Sequence, residues 1–336
     1  MLLAAFACAL LAMGDVPAAA QATLDAVKGR GELRCGVNGD LPGFSARDGK
    51  GAWSGFDVDL CRALAAAIFD DPSKVAFLPL SAESRFAALV SGSVDVLSRN
   101  TTWTLSREAA LGIQFAVVTY YDGQGFMVHE SRGVTSPLDL AGARICVQKD
   151  TTSSLNLTDY FRANDIGFQA VPLSSVSQAV EAYSEGRCDA LTSDVSQLYA
   201  ERAQLPVPQE HMILGDIISK EPLGPAVRQG DDRWLNVVKW THYAMVNAEE
   251  LGISQATVTQ AMASKRAEVQ RLLGVYAALG EALGLANDWA ARSIRHVGNY
   301  GESFERNLGA ETKLAIPRGL NRLWTDGGIQ YAPPIR

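Results

Sequence analysis

Charge is sparse in this chain and never comes in blocks. Of 336 residues 20% are charged, 30 basic against 37 acidic, for a net charge of −7. The lack of any Lys/Arg-rich run argues against nucleic acid or an anionic membrane as the main partner. Histidine is scarce, with His129, His211, His242 and His296 scattered along the chain; a lone histidine is more often a surface or satisfied core residue than a base or a ligand. The sequence has no Gly-x-x-x-x-Gly-Lys-Ser/Thr, no Gly-x-Gly-x-x-Gly, no Gly-x-Ser-x-Gly and no His-Glu-x-x-His, so none of those catalytic or nucleotide-binding devices is present. Among five cysteines there is no Cys-x-x-Cys and no histidine at zinc-site spacing, which argues against a structural metal. No apolar run reaches the ~20 residues of a membrane span. What is present is a globular composition, 47% hydrophobic, of a length that suits about two domains at roughly 100–200 residues each. The expected partner is small.

Leu2 to Met13 is apolar throughout, and Ala18 and Ala20 form a small-x-small cleavage site. Residues 1–20 therefore read as an export signal, and the mature chain is expected to begin at Gln21 and to be exported, with no membrane insertion. No basic residue precedes the apolar run, so the start codon is expected to lie further upstream. A lipid anchor on Cys8 is the competing reading, and it lacks a recognisable motif. Removing the signal leaves Cys35, Cys61, Cys146 and Cys188. Four thiols allow three pairings or none, and export favours disulfides over inert buried thiols.

Alternating apolar and helix-forming segments then predict strands at 31–37, 74–80 and 94–97 with helices at about 57–69 and 83–91 between them. The series restarts with strands at 143–148, 168–172 and 190–191 and helices at 153–164 and 176–185. Extended segments at 117–130 and 223–228 separate the two series and read as crossovers. From Asp231 onward helices are predicted at 234–249, 255–263, 266–273, 287–296 and 320–326. Such βαβ order requires mostly parallel sheets flanked by helices. The expected architecture is α/β and two-lobed. Residues 21–124 and 225–336 form lobe one, with a helical extension from about 274 that packs on it, and residues 125–224 form an inserted lobe two.

In open α/β sheets ligands bind beyond the carboxyl ends of strands, near helix N-termini. Two polar runs occupy such places, one from each lobe: Ser98 to Arg107 after the strand 94–97, and Asp150 to Ser154 after the strand ending at Gln148. Hydroxyls and an arginine suit a carboxylate, and Asp194, after the strand 190–191, suits an ammonium. One arginine, several hydroxyls and one aspartate make a site for a zwitterionic α-amino acid. The plainer alternative is that these Ser, Thr and Asp residues are helix caps.

Gly55-Phe56-Asp57-Val58-Asp59-Leu60, continuing through Leu64, Ala65 and Ile68, resembles the signature of the family 3 extracellular solute-binding proteins, periplasmic receptors of amino-acid ABC importers. Ser84 to Leu89, Val94 to Leu97, Thr101-Thr102 with Arg107, and Glu221 to Arg228 resemble the same family, and Ser98 to Thr104 with Gly328 to Arg336 resemble its general L-amino-acid-binding subgroup. The resemblance implies a type II periplasmic-binding fold hinged on two strands. It implies that Arg107 binds the ligand carboxylate with Asn100 and Thr102 donating beside it, that Thr151 and Thr152 close from lobe two, and that Asp194 takes the ammonium. Asn38, Phe44 and Arg85 match side-chain pocket positions. Asn38 stands where members selective for acidic amino acids tend to have a basic residue, which favours a broader polar, acidic and amide range. The Gly55–Leu60 motif is read as a fold marker outside the site. The family also implies the pairs Cys35–Cys61 and Cys146–Cys188.

The function implied is capture of an L-amino acid by lobe closure and its delivery to ABC permease subunits, by a monomer without a cofactor, without nucleic acid and without chemistry. The rival is a cyclohexadienyl dehydratase-like enzyme on the same scaffold, for which Asp194 and Glu83 are the general-acid candidates. A sensing ectodomain is a third class; it would need a membrane span later in the chain.

Overall fold

The computed structural model describes residues 22–336; the expected signal segment and Cys8 lie outside them. A helix not foreseen from sequence, α1 (Ala22–Arg30), leads into β1 (Leu33–Val37). Three short strands follow, β2 (Asp40–Leu41), β3 (Ser45–Arg47) and β4 (Trp53–Ser54), which form a small antiparallel sheet of their own. Next come α2 (Phe56–Phe69), β5 (Val75–Pro79), α3 (Arg85–Val90), β6 (Val96–Leu97), α4 (Leu105–Ala110) and β7 (Ile113–Phe115). The first large sheet has the order β5-β1-β6-β14-β7, where β14 (Ala226–Arg228) returns from far along the chain. β1 is parallel to β5 and β6, and β14 is antiparallel to both its neighbours.

The second sheet is contiguous in sequence. It contains β8 (Tyr120–His129), β9 (Arg144–Gln148), β10 (Gln169–Leu173), β11 (Ala190–Asp194), β12 (His211–Ile213) and β13 (Ser219–Leu223), with α5 (Thr152–Ala163), α6 (Val176–Ser184) and α7 (Val195–Arg202) between strands. Alternation along β8 sends Phe126 and Val128 to one face, with Ile145, Leu157 and Phe161, and Met127 to the other, with Ala179, Leu191 and Leu198. Helices on both faces bury the sheet, as parallel strands require.

Two segments join the sheets. β8 pairs with β13 over Tyr120–Gln124 and with β11 over Gln124–Val128, so one long strand belongs both to the connection and to the second sheet. The connections hold each other: Ala116 N–H donates to Pro225 O (3.0 Å) and Thr119 N–H to Leu223 O (2.9 Å). They approach so closely at Gly224 that a Cβ there would lie 2.0 Å from Val117 O, which only glycine avoids. Gly55 has a comparable reason. Its φ of 134° and a virtual Cβ 2.0 Å from Phe44 O leave glycine as the residue that can open α2 beneath that loop.

The C-terminal third packs on the first sheet. α8 (Asp232–Glu250) places Trp234, Val237 and Val238 in the core with Leu33, Val96 and Leu64, and it is followed by α9 (Val258–Ala261), α10 (Ala267–Leu272) and α11 (Leu279–Leu283). α12 (Trp289–Val297) lies on α2, where Ser293 Oγ donates to Ala63 O (2.8 Å). α13 (Tyr300–Asn307) is pinned to the same helix because Asp59 accepts from Ser303 Oγ (2.9 Å), Asn307 Nδ2 (2.7 Å) and Arg306. The helix expected at 320–326 is instead two single 3-10 turns, Gly319–Asn321 and Trp324–Asp326; neighbouring Pro317, Gly319, Gly327 and Gly328 prevent a longer ladder. Disulfides join Cys35 to Cys61, β1 to α2, and Cys146 to Cys188, on β9 and just before β11, with Cα separations of 6.3 and 5.6 Å. Each lies within one lobe. Among the described residues no helix is long and apolar enough to cross a membrane.

Candidate functional site

The buried strand β6 ends at Leu97, and the chain then makes a polar turn whose shape is set by α2. Asp57 accepts from the Asn100 backbone N–H (2.9 Å) and from Ser98 Oγ (3.2 Å), and Asn100 is held at a φ of 33°, in the region that asparagine tolerates better than most residues. Burial pushes the Asp57 carboxyl up to about 6 against the pull of those hydrogen bonds and of Arg99. Asp57 therefore positions the turn, a role that its place in the Gly55–Leu60 motif did not reveal.

The turn carries Thr102 to the hinge, where it bridges to Leu223, and α4 then brings Arg107 back so that its Nη1 donates to Thr102 O (2.7 Å). Across the gap the N-terminus of α5 presents Thr151 and Thr152. Thr102 Oγ1 and Thr152 Oγ1 stand 3.4 Å apart, so the two lobes touch here. Between them lies a narrow cleft lined by Arg85, Asn100, Thr102, Arg107, Thr152 and Asp194, with Asn38 and Thr151 also on its walls.

Several of these groups are already committed. Thr151 is a helix cap, as the plainer reading had it: its hydroxyl accepts from Ser154 N–H (3.3 Å) and donates to Gln148 O (2.7 Å). Thr152 Oγ1 donates to the buried Glu221 (3.0 Å), which Asn156 and Ser219 also satisfy. Asn38 Nδ2 donates to Asn100 Oδ1 (3.1 Å), leaving the Asn100 amide N–H groups for a ligand. Asp194 is different. It opens α7 but makes no capping hydrogen bond, and its carboxylate has no hydrogen-bond partner among the described residues. Burial and the nearby Asp122 and Glu221 push it well above the usual carboxylate range, while Arg107 and Arg85 pull the other way. Burial likewise lowers Arg107, against Glu221 and Asp194, and lowers Arg85 strongly, with help from Arg99 and Arg107. The cleft thus brings together a partnerless acid, three guanidinium groups and a ring of hydroxyls and amides.

Phe44 is a correction. It does not line the cleft but is 1% exposed, edge-on to Tyr120 and Phe56 at 5.4 and 6.4 Å between ring centroids. Arg85 is no surface residue; it is 4% exposed beneath Phe86, 4.8 Å from that ring's centroid. Glu83 is exposed and away from the cleft. Sequence reasoning missed Arg99, Gln148, Ser193 and Gln197, all on the cleft walls. Arg99 had a signal: a cation directly after a buried strand, whose Nε is spent on Leu80 O (2.7 Å).

The family model for bacterial extracellular solute-binding proteins, family 3, matches residues 33–257. The chain belongs to this family. Among family members, the general L-amino acid-binding periplasmic protein AapJ of Rhizobium johnstonii is 54% identical over 338 residues, covering 100% of this chain and 99% of that one. The glutamate/glutamine/aspartate/asparagine-binding protein BztA of Rhodobacter capsulatus is 50% identical over 320 residues, 95% of each. A solved structure, the ABC transporter periplasmic binding protein from Brucella ovis with glutathione bound, superposes with a TM-score of 0.92 at 54% identity, covering 94% of this chain and 99% of that one. The match extends well beyond residue 257, so the C-terminal helices are shared with these relatives.

Proposed function

We propose that this chain is a periplasmic receptor that captures L-amino acids of broad polar, acidic and amide character and hands them to the permease of an ABC importer. The observation that carries the reading is Asp194, a buried carboxylate without a hydrogen-bond partner among the described residues, facing Arg107 across a cleft walled by both lobes. An α-amino acid supplies what each group lacks: an ammonium for Asp194 and a carboxylate for Arg107, with Thr102 and the Asn100 amide as further donors. Glutathione, named with the Brucella ovis structure, carries the same ammonium and carboxylate on the α-carbon of its glutamyl residue. The names of the relatives support amino-acid binding, transport and the periplasm.

Binding acts through the hinge. A ligand that bonds Arg107 and Asn100 in lobe one and Asp194 in lobe two binds the closed arrangement better than the open one and shifts the population toward it. The lobes are taken to turn about the paired connections at 116–119 and 224–225. The receptor acts as a monomer. The dehydratase-like alternative is disfavoured because Glu83 stands away from the cleft, which leaves Asp194 as its single general-acid candidate.

Thermal melts of the protein with each of the twenty standard amino acids, the D-enantiomers of the chiral ones and prephenate test the proposal. Ligand at about 100 times its Kd adds about 2.7 kcal/mol of apparent stability. Stabilisation by several polar L-amino acids and by no D-enantiomer is expected, and Arg107→Ala should abolish it. Stabilisation by prephenate alone would overturn the reading.

A further inference from the structure

β11 leaves one edge of β8 at Gln124, so the backbone of Tyr121, where β8 becomes part of the hinge, has no strand beside it on that edge. The side chain of Asn321 takes the place. Its Oδ1 accepts from the Tyr121 N–H (2.7 Å) and its Nδ2 donates to Tyr121 O (3.0 Å), so one primary amide satisfies both backbone groups of a residue 200 positions away. Two residues earlier, Thr119 O accepts from Gln330 Nε2 (3.1 Å) and from Tyr300 Oη (3.0 Å). Asn321 and Gln330 are each 3% exposed, which leaves little water to replace these bonds.

The amide is itself fixed to lobe one. Arg318 forms an ion pair with Glu249 near the end of α8 and donates from Nη2 to Asn321 O (2.9 Å), which ties the 3-10 turn Gly319–Asn321 to that helix. On the other side of Tyr121 the chain engages lobe two at once. Asp122 accepts from Ser196 N–H (3.3 Å) at the start of α7, next to Asp194, and Glu221, opposite Asp122 on β13, accepts from Thr152 Oγ1 (3.0 Å). One peptide bond therefore separates a residue locked to lobe one from the residue that seats α7. These contacts coexist with closed lobes, since Thr102 meets Thr152 in the same structure. Opening turns β8 against lobe one and draws Tyr121 off the Asn321 amide, leaving that amide buried and unsatisfied at a cost in free energy.

We infer that Asn321 is a positioning residue for ligand capture: from the C-terminal segment it holds the hinge strand in the setting that brings Asp194 and Thr152 onto lobe one, and so biases the empty receptor toward closure. This rests on the amino-acid reading above. A ligand then meets a larger fraction of molecules in the arrangement it requires, and its affinity rises in proportion although Asn321 does not line the cleft. Because the residue acts through the population and touches no ligand, its effect is the same for each.

Calorimetric titration and small-angle X-ray scattering of Asn321→Ala test the inference. L-glutamine and L-glutamate should each bind about tenfold or more weakly than to the parent, with losses that agree within about twofold. The empty variant should have a larger radius of gyration than the empty parent, and excess L-glutamine should return it to the parent's liganded value. Leu320→Ser alters an exposed neighbour in the same turn and should change either affinity by less than about twofold. Amide exchange in the parent needs no variant: the Tyr121 N–H should exchange at least about threefold more slowly with saturating L-glutamine than without it. Unchanged affinities in Asn321→Ala, unequal losses for the two ligands, an equal loss in Leu320→Ser, or Tyr121 exchange that is insensitive to ligand each overturns the inference and leaves the amino-acid reading standing. If the parent binds neither L-glutamine nor L-glutamate, the amino-acid reading falls and the inference with it.

Discussion

Asp194→Asn is expected to move the empty protein and its complex in opposite directions. In the empty cleft the carboxylate is buried, has no hydrogen-bond partner among the described residues, and faces repulsion from Asp122 and Glu221 that Arg107 and Arg85 only partly offset. An amide of the same shape removes that repulsion, so the unliganded variant should melt at a higher temperature than the parent. The complex loses the charge-assisted bond to the ligand ammonium, about 1.5–3 kcal/mol, which corresponds to a Kd about 10- to 150-fold higher. A pH signature accompanies this. Because the Asp194 carboxyl holds its proton to a higher pH than a free aspartate, binding an ammonium expels the proton, and affinity rises with pH until the carboxyl is ionised in the empty protein. Titrations of L-glutamine in two buffers of different ionisation enthalpy read that proton release, and Asp194→Asn should abolish it. A variant that melts lower and binds L-glutamine as the parent does would refute the reasoning and return Asp194 to the role of a structural helix terminus.

Asp57→Ala should strip the Asn100 backbone N–H of its acceptor and weaken every amino-acid ligand without touching one, by about 1–3 kcal/mol as for a buried donor left unsatisfied; calorimetry with the Asp57→Asn variant as a milder control checks this. Reduction of the disulfides should lower the melting temperature while leaving ligand-induced stabilisation intact, because each bridge lies within one lobe; sequence separations of 26 and 42 residues correspond to about 3.5 and about 4 kcal/mol of loop-closure stabilisation. His242 is buried among Tyr300 and Gln330, and burial depresses it from 6.5 to about 4. The unfolded chain takes up this proton below pH 6.5 and the folded chain does not, so its contribution to stability is lost as pH falls through that window. His242→Leu should accordingly gain on the parent by on the order of 3 kcal/mol between pH 7 and pH 4, read from denaturant melts across pH.

The alternation of strands and helices was legible because buried parallel strands are short unbroken apolar runs and the helices between them are amphipathic. The end of the chain was less so. α13 was overlooked although Asn299 and Glu302 form a reciprocal capping box, a local signal that stands in the sequence. The turns at 319–326 read as a helix because Leu320, Leu323 and Trp324 have helical spacing while the flanking glycines were given too little weight. In the cleft, residues that lie directly beyond strand ends were found, since topology alone brings Asn100, Thr102, Thr152 and Asp194 together. Phe44 was misjudged because an aromatic side chain beside a polar loop looks the same whether it faces a ligand or, as here, Phe56 and Tyr120. Gln148 and Gln197 were missed because a lone glutamine carries no pattern; its contribution depends on which lobe faces it.

The place of β14 between β6 and β7 governs how the molecule is assembled. A chain that emerges N-terminus first produces β1, β5, β6 and β7 early, yet β7 has no partner in the large sheet except β14, more than a hundred residues later. The second sheet, from Tyr120 to Leu223, is complete before that strand arrives. The unfinished first lobe must therefore wait with an open edge on β6 and a solitary β7, the kind of exposed backbone that invites wrong pairing. Its loop from 98 to 112 bears Arg99, Asn100, Thr102 and Arg107, and it spans the gap that β14 fills. Recognition thus waits on β14, and a protein able to hold ligand has brought Ala226–Arg228 back between β6 and β7.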